Sequence, residues 1–372
     1  MIGNGPDVVA EVMRVRAAGA IPLVGDPCWP RSQWDAVRHA AVTAAARPDA
    51  AWATSTSGSS GQPRIVMRSE ESWSASFPVV DTLMEVAPGD VLYLPSPPAS
   101  SLSLFSIAHS IRTGLVLALP SSSAVAARDF QDATLFHGTP HALRLVLAAI
   151  QSGAPSRLRM ALVGGSDLDP VLWEQAGHLG IRVVSYYGAA ELSFVAVDHG
   201  DGLRPFPGAQ IDIRDGELWV CSAYVSAGYL TGDGPFRTDR NGWCTVGDLA
   251  RMDGGRIAIQ GRSDGRILTA SATVVPAEVE TALRSLSGVG DSVVFGLPVS
   301  DIGALVAAAI EPDPSFPRVD LAAIRLSAAA LLAPTHLPRR WYVLDPFPRT
   351  SSGKPARAQI VQRILAASGS RS

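Results

Sequence analysis

The stretch Ser55-Thr56-Ser57-Gly58-Ser59-Ser60-Gly61-Gln62-Pro63-Arg64 carries five hydroxyls, two glycines and one fixed cation, and almost nothing apolar. Ala51-Trp52-Ala53-Thr54 before it reads as the end of a strand. Ile65-Val66-Met67 follows it, and then Ser69-Glu70-Glu71, which reads as a helix cap. A strand that empties into a Gly/Ser loop can wrap backbone N–H groups and hydroxyls around phosphate oxygens. Glycine lets the main chain come close, serine and threonine donate, and Arg64 supplies positive charge. Composition alone equally allows a Ser-rich surface linker. The loop is not of the G-x-x-x-x-G-K-[ST] kind, because no Lys-Ser or Lys-Thr occurs in the chain.

A second chemical signal is compositional. Of 31 basic residues, 30 are arginine, and the single lysine is Lys354. Chance must leave the last lysine somewhere. The functional reading is that a compact ammonium on a flexible stem does work there that a planar guanidinium cannot.

The chain has 372 residues and a net charge of −3 without any basic block, which excludes a nucleic-acid electrostatic footprint. Its opening residues Met1-Ile2-Gly3-Asn4-Gly5-Pro6-Asp7 lack a basic start and an apolar core, and no apolar run reaches membrane-spanning length, so a cytoplasmic protein with no membrane span is expected. Cys28, Cys221 and Cys244 are distant and odd in number, and read as buried thiols in a reducing compartment.

The elements that must position these groups follow from periodicity. A helix is expected over 8–18, a buried strand over 21–24, a helix over 69–84 and a strand over 91–94. After the break Pro95-Ser96-Pro97-Pro98 come a helix over 102–111 and strands over 115–119 and 134–136. His137 and His141 flank a turn and read as structural histidines, not bases. A strand over 158–163 runs into Gly164-Gly165-Ser166. A helix over 170–179 then leads to a strand over 181–185, which empties into Tyr186-Tyr187-Gly188-Ala189-Ala190-Glu191. Strands alternating with helices imply a mostly parallel sheet with a ligand crevice at its carboxyl edge, where both Gly-containing loops belong.

After Pro207 the pattern alternates with period two, with a hairpin turn at Arg214-Asp215-Gly216. Gly261-Arg262-Ser263-Asp264-Gly265-Arg266 reads as a hinge. Beyond it lie helices over 276–286, 321–332 and 356–366 and strands over 292–297, 304–310 and 340–344. The expected fold is α/β. A large domain over 1–263 has mostly parallel sheets and a β-rich subdomain at about 207–260. A small mobile α+β domain over 264–372 carries Lys354.

Thr56 to Arg64 resemble the phosphate loop T-S-G-[ST]-[ST]-G-x-P-K of the acyl-adenylate-forming (AMP-binding) superfamily, with arginine for the final lysine. Four more strings are similar to the same family, in the same order. They are Tyr187-Gly188-Ala189-Ala190-Glu191 (Y-G-x-T-E), Thr245-Val246-Gly247-Asp248 (T-G-D), Gly261-Arg262-Ser263-Asp264 (G-R-x-D, followed by Pro276-Ala277-Glu278-Val279-Glu280), and Pro348-Arg349-Thr350-Ser351-Ser352-Gly353-Lys354 (P-R-T-x-S-G-K). Residues 17–27 look like the family's early A-G-A-x-x-x-P-x-[DN]-P segment, which begins unusually near the first residue here.

The resemblance implies a two-step reaction. A carboxylate is a poor electrophile, so it first attacks the α-phosphate of ATP to give an acyl-adenylate and pyrophosphate. A thiol, of coenzyme A or of a carrier protein's phosphopantetheine, then displaces AMP. Catalysis is mainly positioning and charge neutralisation. It implies that Thr56, Ser57, Gly58, Ser59, Ser60, Gly61 and Arg64 hold the β- and γ-phosphates and that Glu191 holds Mg²⁺ against them. Tyr187 would offer a face to adenine, with Gly165, Ser166, Tyr186, Gly188 and Ala189 completing the nucleotide site. Asp248 would accept from the ribose hydroxyls beside Arg262. Lys354 would sit between the carboxylate and the α-phosphate, and Asp264 would be the pivot on which the small domain turns.

The acid pocket would be built from residues 95–105, 136–139 and 164–188, and the compact form resembles o-succinylbenzoate–CoA ligases. The acceptor, the acid and the oligomeric state, a homodimer included, are left open. Ala190, Arg64 and Thr269-Ala270-Ser271 depart from the family pattern. Two competing readings remain. Ser351-x-x-Lys354 is formally an S-x-x-K motif of serine hydrolases, but a chain with one lysine cannot supply the K-T-G that class also needs. A degenerate adenylate-binding protein without turnover is the other.

Overall fold

The structure is a computed structural model of the chain. It describes residues 1–372 except 2–4, 28, 30, 45–46, 57–63, 123–124, 232–233, 263–266, 270–272, 300–302, 315, 317–318, 351–352 and 370–372.

The organising layer is a seven-stranded sheet. Its order is Val116–Ala118, Val91–Tyr93, Leu135–Gly138, Met160–Gly164, Arg182–Ala189, Ser193–Asp198 and Arg204–Pro205. The first four pairings are parallel, and the last two, at the Ser193–Asp198 strand, are antiparallel. Helices Ser101–Thr113, Pro140–Gln151 and Pro170–His178 connect the parallel strands, as crossover connections require. Successive side chains alternate between two cores. Leu135, Leu162, Val184 and Phe194 enter one, and Phe136, Ala161, Val163 and Val183 enter the other.

Several local expectations need correction. The strand expected over 21–24 is a single bridge from Leu23 to Ala53, since Pro22 cannot donate to a ladder. The helix expected over 69–84 is two helices, Glu71–Ser74 and Phe77–Met84, the second opening on Pro78. The strand expected to end at Ser185 runs on through Ala189, so Tyr186, Tyr187, Gly188 and Ala189 are strand residues and not loop residues. His137 lies in a strand and His141 in the first turn of the helix Pro140–Gln151, which Thr139 caps by accepting from the Ala142 N–H.

Ala50–Thr56 and Arg64–Ser69 pair antiparallel, with Gly228–Tyr229 on the outer edge. The β-rich part is a six-stranded sheet in which Asp248–Asp253 lies between Glu217–Cys221 and Arg256–Arg262. Its tight turn needs left-handed backbone at both Asp215 (φ 51°) and Gly216 (φ 79°), which the Asp-Gly pair supplies. The C-terminal part packs Val289–Val299, Gly303–Pro312 and Arg340–Val343 between helices, with separate cores on the two faces. Its helices are Pro276–Arg284, Leu321–Leu331 and Arg357–Gly369. Cys221 and Cys244 are free thiols, half-buried and buried, while Cys28 lies outside the described residues. No helix among the described residues is long and apolar enough to cross a membrane.

Phe194 is the hub of the first core. Its ring centroid lies 4.6 Å from Tyr186 and 4.9 Å from both Phe105 and Phe206. Phe194→Ala should cost about 3–5 kcal/mol in equilibrium urea unfolding. A loss below about 1 kcal/mol would show that the cluster closes over the gap and does not depend on this ring.

Candidate active site

Thr56 and Arg64 face each other across the hairpin and fix both ends of the loop between them. Ser57, Gly58, Ser59, Ser60 and Gly61 lie outside the described residues. Both anchors are half-buried, and Arg64 lies close enough to Tyr229 to favour its ionisation, although burial, which raises the Tyr229 pKa, outweighs it.

Glu191 follows the strand Arg182–Ala189 and is 7% exposed. Tyr229 Oη donates to Glu191 Oε1 at 2.7 Å, and the Glu191 carbonyl accepts from the Ser226 N–H at 2.7 Å. Beneath it lies Arg68, fully buried. Its Nε donates to the Ala190 carbonyl at 3.1 Å, and its Nη1 donates to the Tyr224 carbonyl at 2.8 Å and to Ser72 Oγ at 3.0 Å. Burial pushes the guanidinium down to about 9, and the nearby Glu191 carboxylate opposes that shift. Sequence reasoning missed Arg68 and Tyr229. The available signal was a cation inside the run Ile65-Val66-Met67-Arg68, where both faces are buried.

Tyr187 Oη donates to the Asp248 carboxylate, so the ring expected at adenine and the carboxylate expected at ribose form one unit. Asp248 opens the strand Asp248–Asp253 and pairs in register with Arg262, whose side chain lies outside the described residues, as does Asp264. Gly188 allows the close turn to the next strand: a Cβ there would stand 2.1 Å from the Ser193 carbonyl oxygen.

The Gly-Gly turn brings the two ends of the chain together. The Tyr186 ring lies across Gly164, where a Cβ would be 2.2 Å from Cζ. Gly165 has φ +96°, and a Cβ there would be 2.8 Å from Lys354 Cε and 3.2 Å from Nζ. Lys354 is exposed as a residue, yet its ammonium lies among enough protein atoms that desolvation lowers its pKa below the usual lysine value. Its turn is held from within. Thr350 N–H donates to the Lys354 carbonyl at 2.7 Å, and Arg349 Nη1 donates to the Gly353 carbonyl at 2.7 Å and to Asp291 at 3.0 Å. Ser166, Thr139 and His141 line the same cleft of about 230 Å³ with Lys354 and Arg349. Burial, with Arg349 and Arg144 nearby, pushes His141 down to about 4, so it is a neutral wall.

The expected acid pocket is only partly assembled. Phe136 faces the opposite core, because its neighbour His137 faces this one. His137 is 1% exposed and bonded to both Ser106 and Tyr186, so it is a structural histidine as expected. Ala270, Ser351 and Ser352 lie outside the described residues.

The sequence matches the AMP-binding enzyme family over residues 9–230 and the AMP-binding enzyme C-terminal domain over residues 278–354. It is 30% identical over 330 residues to a probable 2-succinylbenzoate–CoA ligase of Mycobacterium tuberculosis, covering 85% of each chain. It is 27% identical over 332 residues to an acyl–CoA ligase, YhfT, of Bacillus subtilis, covering 82% of this chain and 67% of that one. In fold it resembles an E. coli MenE variant with bound OSB-AMS, with a TM-score of 0.84, 21% identity, and coverage of 98% of this chain and 86% of that one. Bacillus subtilis MenE in complex with the acyl-adenylate OSB-AMP is also similar, with a TM-score of 0.72, 21% identity, and coverage of 95% and 80%. The fold is that of an adenylate-forming ligase. The chain belongs to the AMP-binding enzyme family, and within it to the acyl-adenylate-forming CoA ligases.

Because Lys354 is the chain's single lysine, its titration can be read by mass spectrometry after amine acylation at graded pH. The wild-type midpoint should fall below that of an exposed lysine. Gly165→Ala, which puts a methyl on the ammonium's seat, should raise it towards the ordinary value. Identical midpoints in the two proteins would disprove the contact.

Proposed function

We propose that the protein uses ATP to activate a carboxylic acid as its acyl-adenylate, releasing pyrophosphate, and then passes the acyl group to the thiol of coenzyme A. The observation that carries this reading is Lys354, which reaches from the C-terminal part onto Gly165, beside the strand Arg182–Ala189 that Glu191 follows. In this reading one cation stands over the carboxyl edge of the sheet, where a carboxylate and a triphosphate would have to meet.

The roles follow from chemistry. The ammonium of Lys354 offsets the repulsion between the acid's carboxylate and the α-phosphate, while Arg64 and the loop between Thr56 and Arg64 take the outer phosphates. Tyr187 and Asp248 hold the nucleoside. Glu191 fits a magnesium ion, since Tyr229 occupies Oε1 and leaves Oε2 without a hydrogen bond among the described residues. No group of three metal-ligating side chains occurs among the described residues, which suits an ion held mostly by phosphate oxygens and water. Magnesium would supply charge neutralisation of the triphosphate.

The division into residues 1–263 and 264–372, pivoting at Asp264, belongs to the same proposal. It is supported by cores that do not mix residues from the two sides. The relatives' names put 2-succinylbenzoate first among acids to try.

With ATP, Mg²⁺ and a panel of acids, the protein should carry labelled pyrophosphate into ATP. No exchange with any acid, by folded protein, would leave the degenerate binding protein as the better reading. Lys354→Arg should lose at least about tenfold in exchange, since a planar fork does not replace an ammonium between two oxyanions. It should still transfer a pre-made acyl-adenylate to the thiol. Because desolvation lowers the Lys354 pKa, the charge is lost earlier as pH rises, so wild-type exchange should fall on the alkaline side before an ordinary lysine would titrate.

Tyr187 and Asp248 make a separate prediction. A carboxylate that accepts from ribose hydroxyls is left underpaired by the 2′-deoxy nucleotide, so 2′-deoxy-ATP should support exchange far less well than ATP. Equal use of the two nucleotides would remove Asp248 from the ribose site.

A further inference from the structure

Tyr186, His137 and Ser106 form a chain of hydrogen bonds that the proposed reaction does not use. Tyr186 Oη lies 3.0 Å from His137 Nε2, and His137 Nδ1 lies 2.7 Å from Ser106 Oγ. His137 and Ser106 are each 1% exposed, whereas Tyr186 is half-buried. The ring can cross from its own strand to the His137 strand because Gly164 lies between them without a side chain.

Proton counting fixes the direction of this chain. Ser106 Oγ has no other partner among the described residues. If Nδ1 carried the imidazole proton, the Ser106 O–H would be a buried donor with no acceptor, which costs more than an unused acceptor. Two bonds serve three protons, so one hydroxyl stays unpaired in either direction, and the less costly arrangement leaves it at the half-buried Tyr186: Ser106 donates to Nδ1 and Nε2–H donates to Tyr186 Oη. The tyrosine oxygen is then an acceptor towards the interior, and its own O–H is left to donate elsewhere. That hydroxyl lies 2.6 Å from the Cβ position of Gly164, and Lys354 Nζ lies 3.2 Å from that of Gly165, so the two flank one Gly-Gly turn.

We propose that Tyr186 presents its hydroxyl proton to the tail of the acid substrate, aimed there by the buried Ser106–His137 pair. The enzyme thereby favours acids bearing an oxygen acceptor, such as a ketone, near the carboxylate over hydrocarbon acids. This rests on the proposed acid activation at Lys354. Burial pushes His137 down to about 3 and raises Tyr186 above its ordinary value, so both groups are neutral throughout the working range and the proton count does not change with pH. Tyr186 is here a specificity residue, and His137 and Ser106 are positioning residues.

Two measurements test it. Pyrophosphate exchange is compared for levulinate and its methylene isostere, and for acetylbenzoate and isopropenylbenzoate. Wild type should prefer the oxo acid of each pair, and Tyr186→Phe should erase the preference by raising KM for the oxo acids roughly 3- to 10-fold more than for their hydrocarbon partners, the range expected for one hydrogen bond. Equal effects on both members of a pair, or none, overturn the proposal.

The imidazole nitrogens of His137, read by ¹⁵N NMR on the wild-type protein without ligand, should show a protonated Nε2 and a bare Nδ1. The reverse also overturns it. If no acid supports exchange at all, the catalytic reading fails first and takes the substrate role of Tyr186 with it, while the NMR result still decides the direction of the hydrogen bonds.

Discussion

Two neighbouring positions without side chains, Gly164 and Gly165, are the constraint on which the site depends. They end a strand whose other residues are buried on both faces, so they cannot move aside. One glycine takes the Tyr186 ring from the adjacent strand, and the other takes the ammonium of a residue nearly two hundred positions later. The φ of +96° at Gly165 is a backbone state that a side chain would strain, and the space is already filled. On the proposed reading, specificity and catalysis would both be registered to one strand end, which would let a two-part enzyme rebuild the same geometry at each closure.

A second device fixes the electrostatics. A fully buried arginine is tolerable only where its donors find acceptors. Arg68 Nε and Nη1 find the carbonyls of Ala190 and Tyr224 and the Ser72 hydroxyl, with Trp73 against its face at 5.4 Å, while Nη2 is left without a hydrogen-bond partner among the described residues. The Ala190 carbonyl is where the chain turns towards Glu191. Family members place a threonine hydroxyl at this position, whereas this chain has alanine, and the turn is anchored from below by a charge. The Glu191 carboxylate nearby in turn helps to keep the buried guanidinium charged.

How much of this was legible depended on whether the signal was local. The Tyr187, Glu191, Asp248 and Lys354 motifs are short strings whose residue types state their chemistry, and the alternation of strands and helices gave the parallel sheet. The strand ending in Tyr186–Ala189 read as a loop because glycine and alanine are poor strand formers. Its strand state comes from pairing with Ser193–Asp198, a tertiary effect. Arg68, Tyr229 and Ser106 were illegible for a different reason. Each acts through a partner 31 or more positions away, and nothing in the neighbouring residues encodes that partner. Phe136 packs into the second core because a strand sends alternate residues to opposite faces, so a stretch of consecutive strand residues cannot form one lining.

The same distinction bears on how the site closes. The polar ties across the cleft include Arg144 donating to the Gly290 carbonyl at 3.2 Å, and Arg284 at 3.7 Å from Asp167, whose side chain is 65% exposed. Contacts of this kind contribute little in water, about 0–1 kcal/mol each. They can orient the C-terminal part but supply little free energy to hold it. Within that part, by contrast, Arg349 is secured to Asp291, Glu311 and Gly353, which ties both flanks of the turn bearing Lys354. On the proposed reading, a firmly tied catalytic turn on a weakly held domain would put the closing free energy in the ligands. A triphosphate and a carboxylate in the cleft would attract the lysine, and their conversion to a less charged adenylate, with pyrophosphate gone, would remove much of that attraction. The chemistry of the first step would then itself release the lysine for the second.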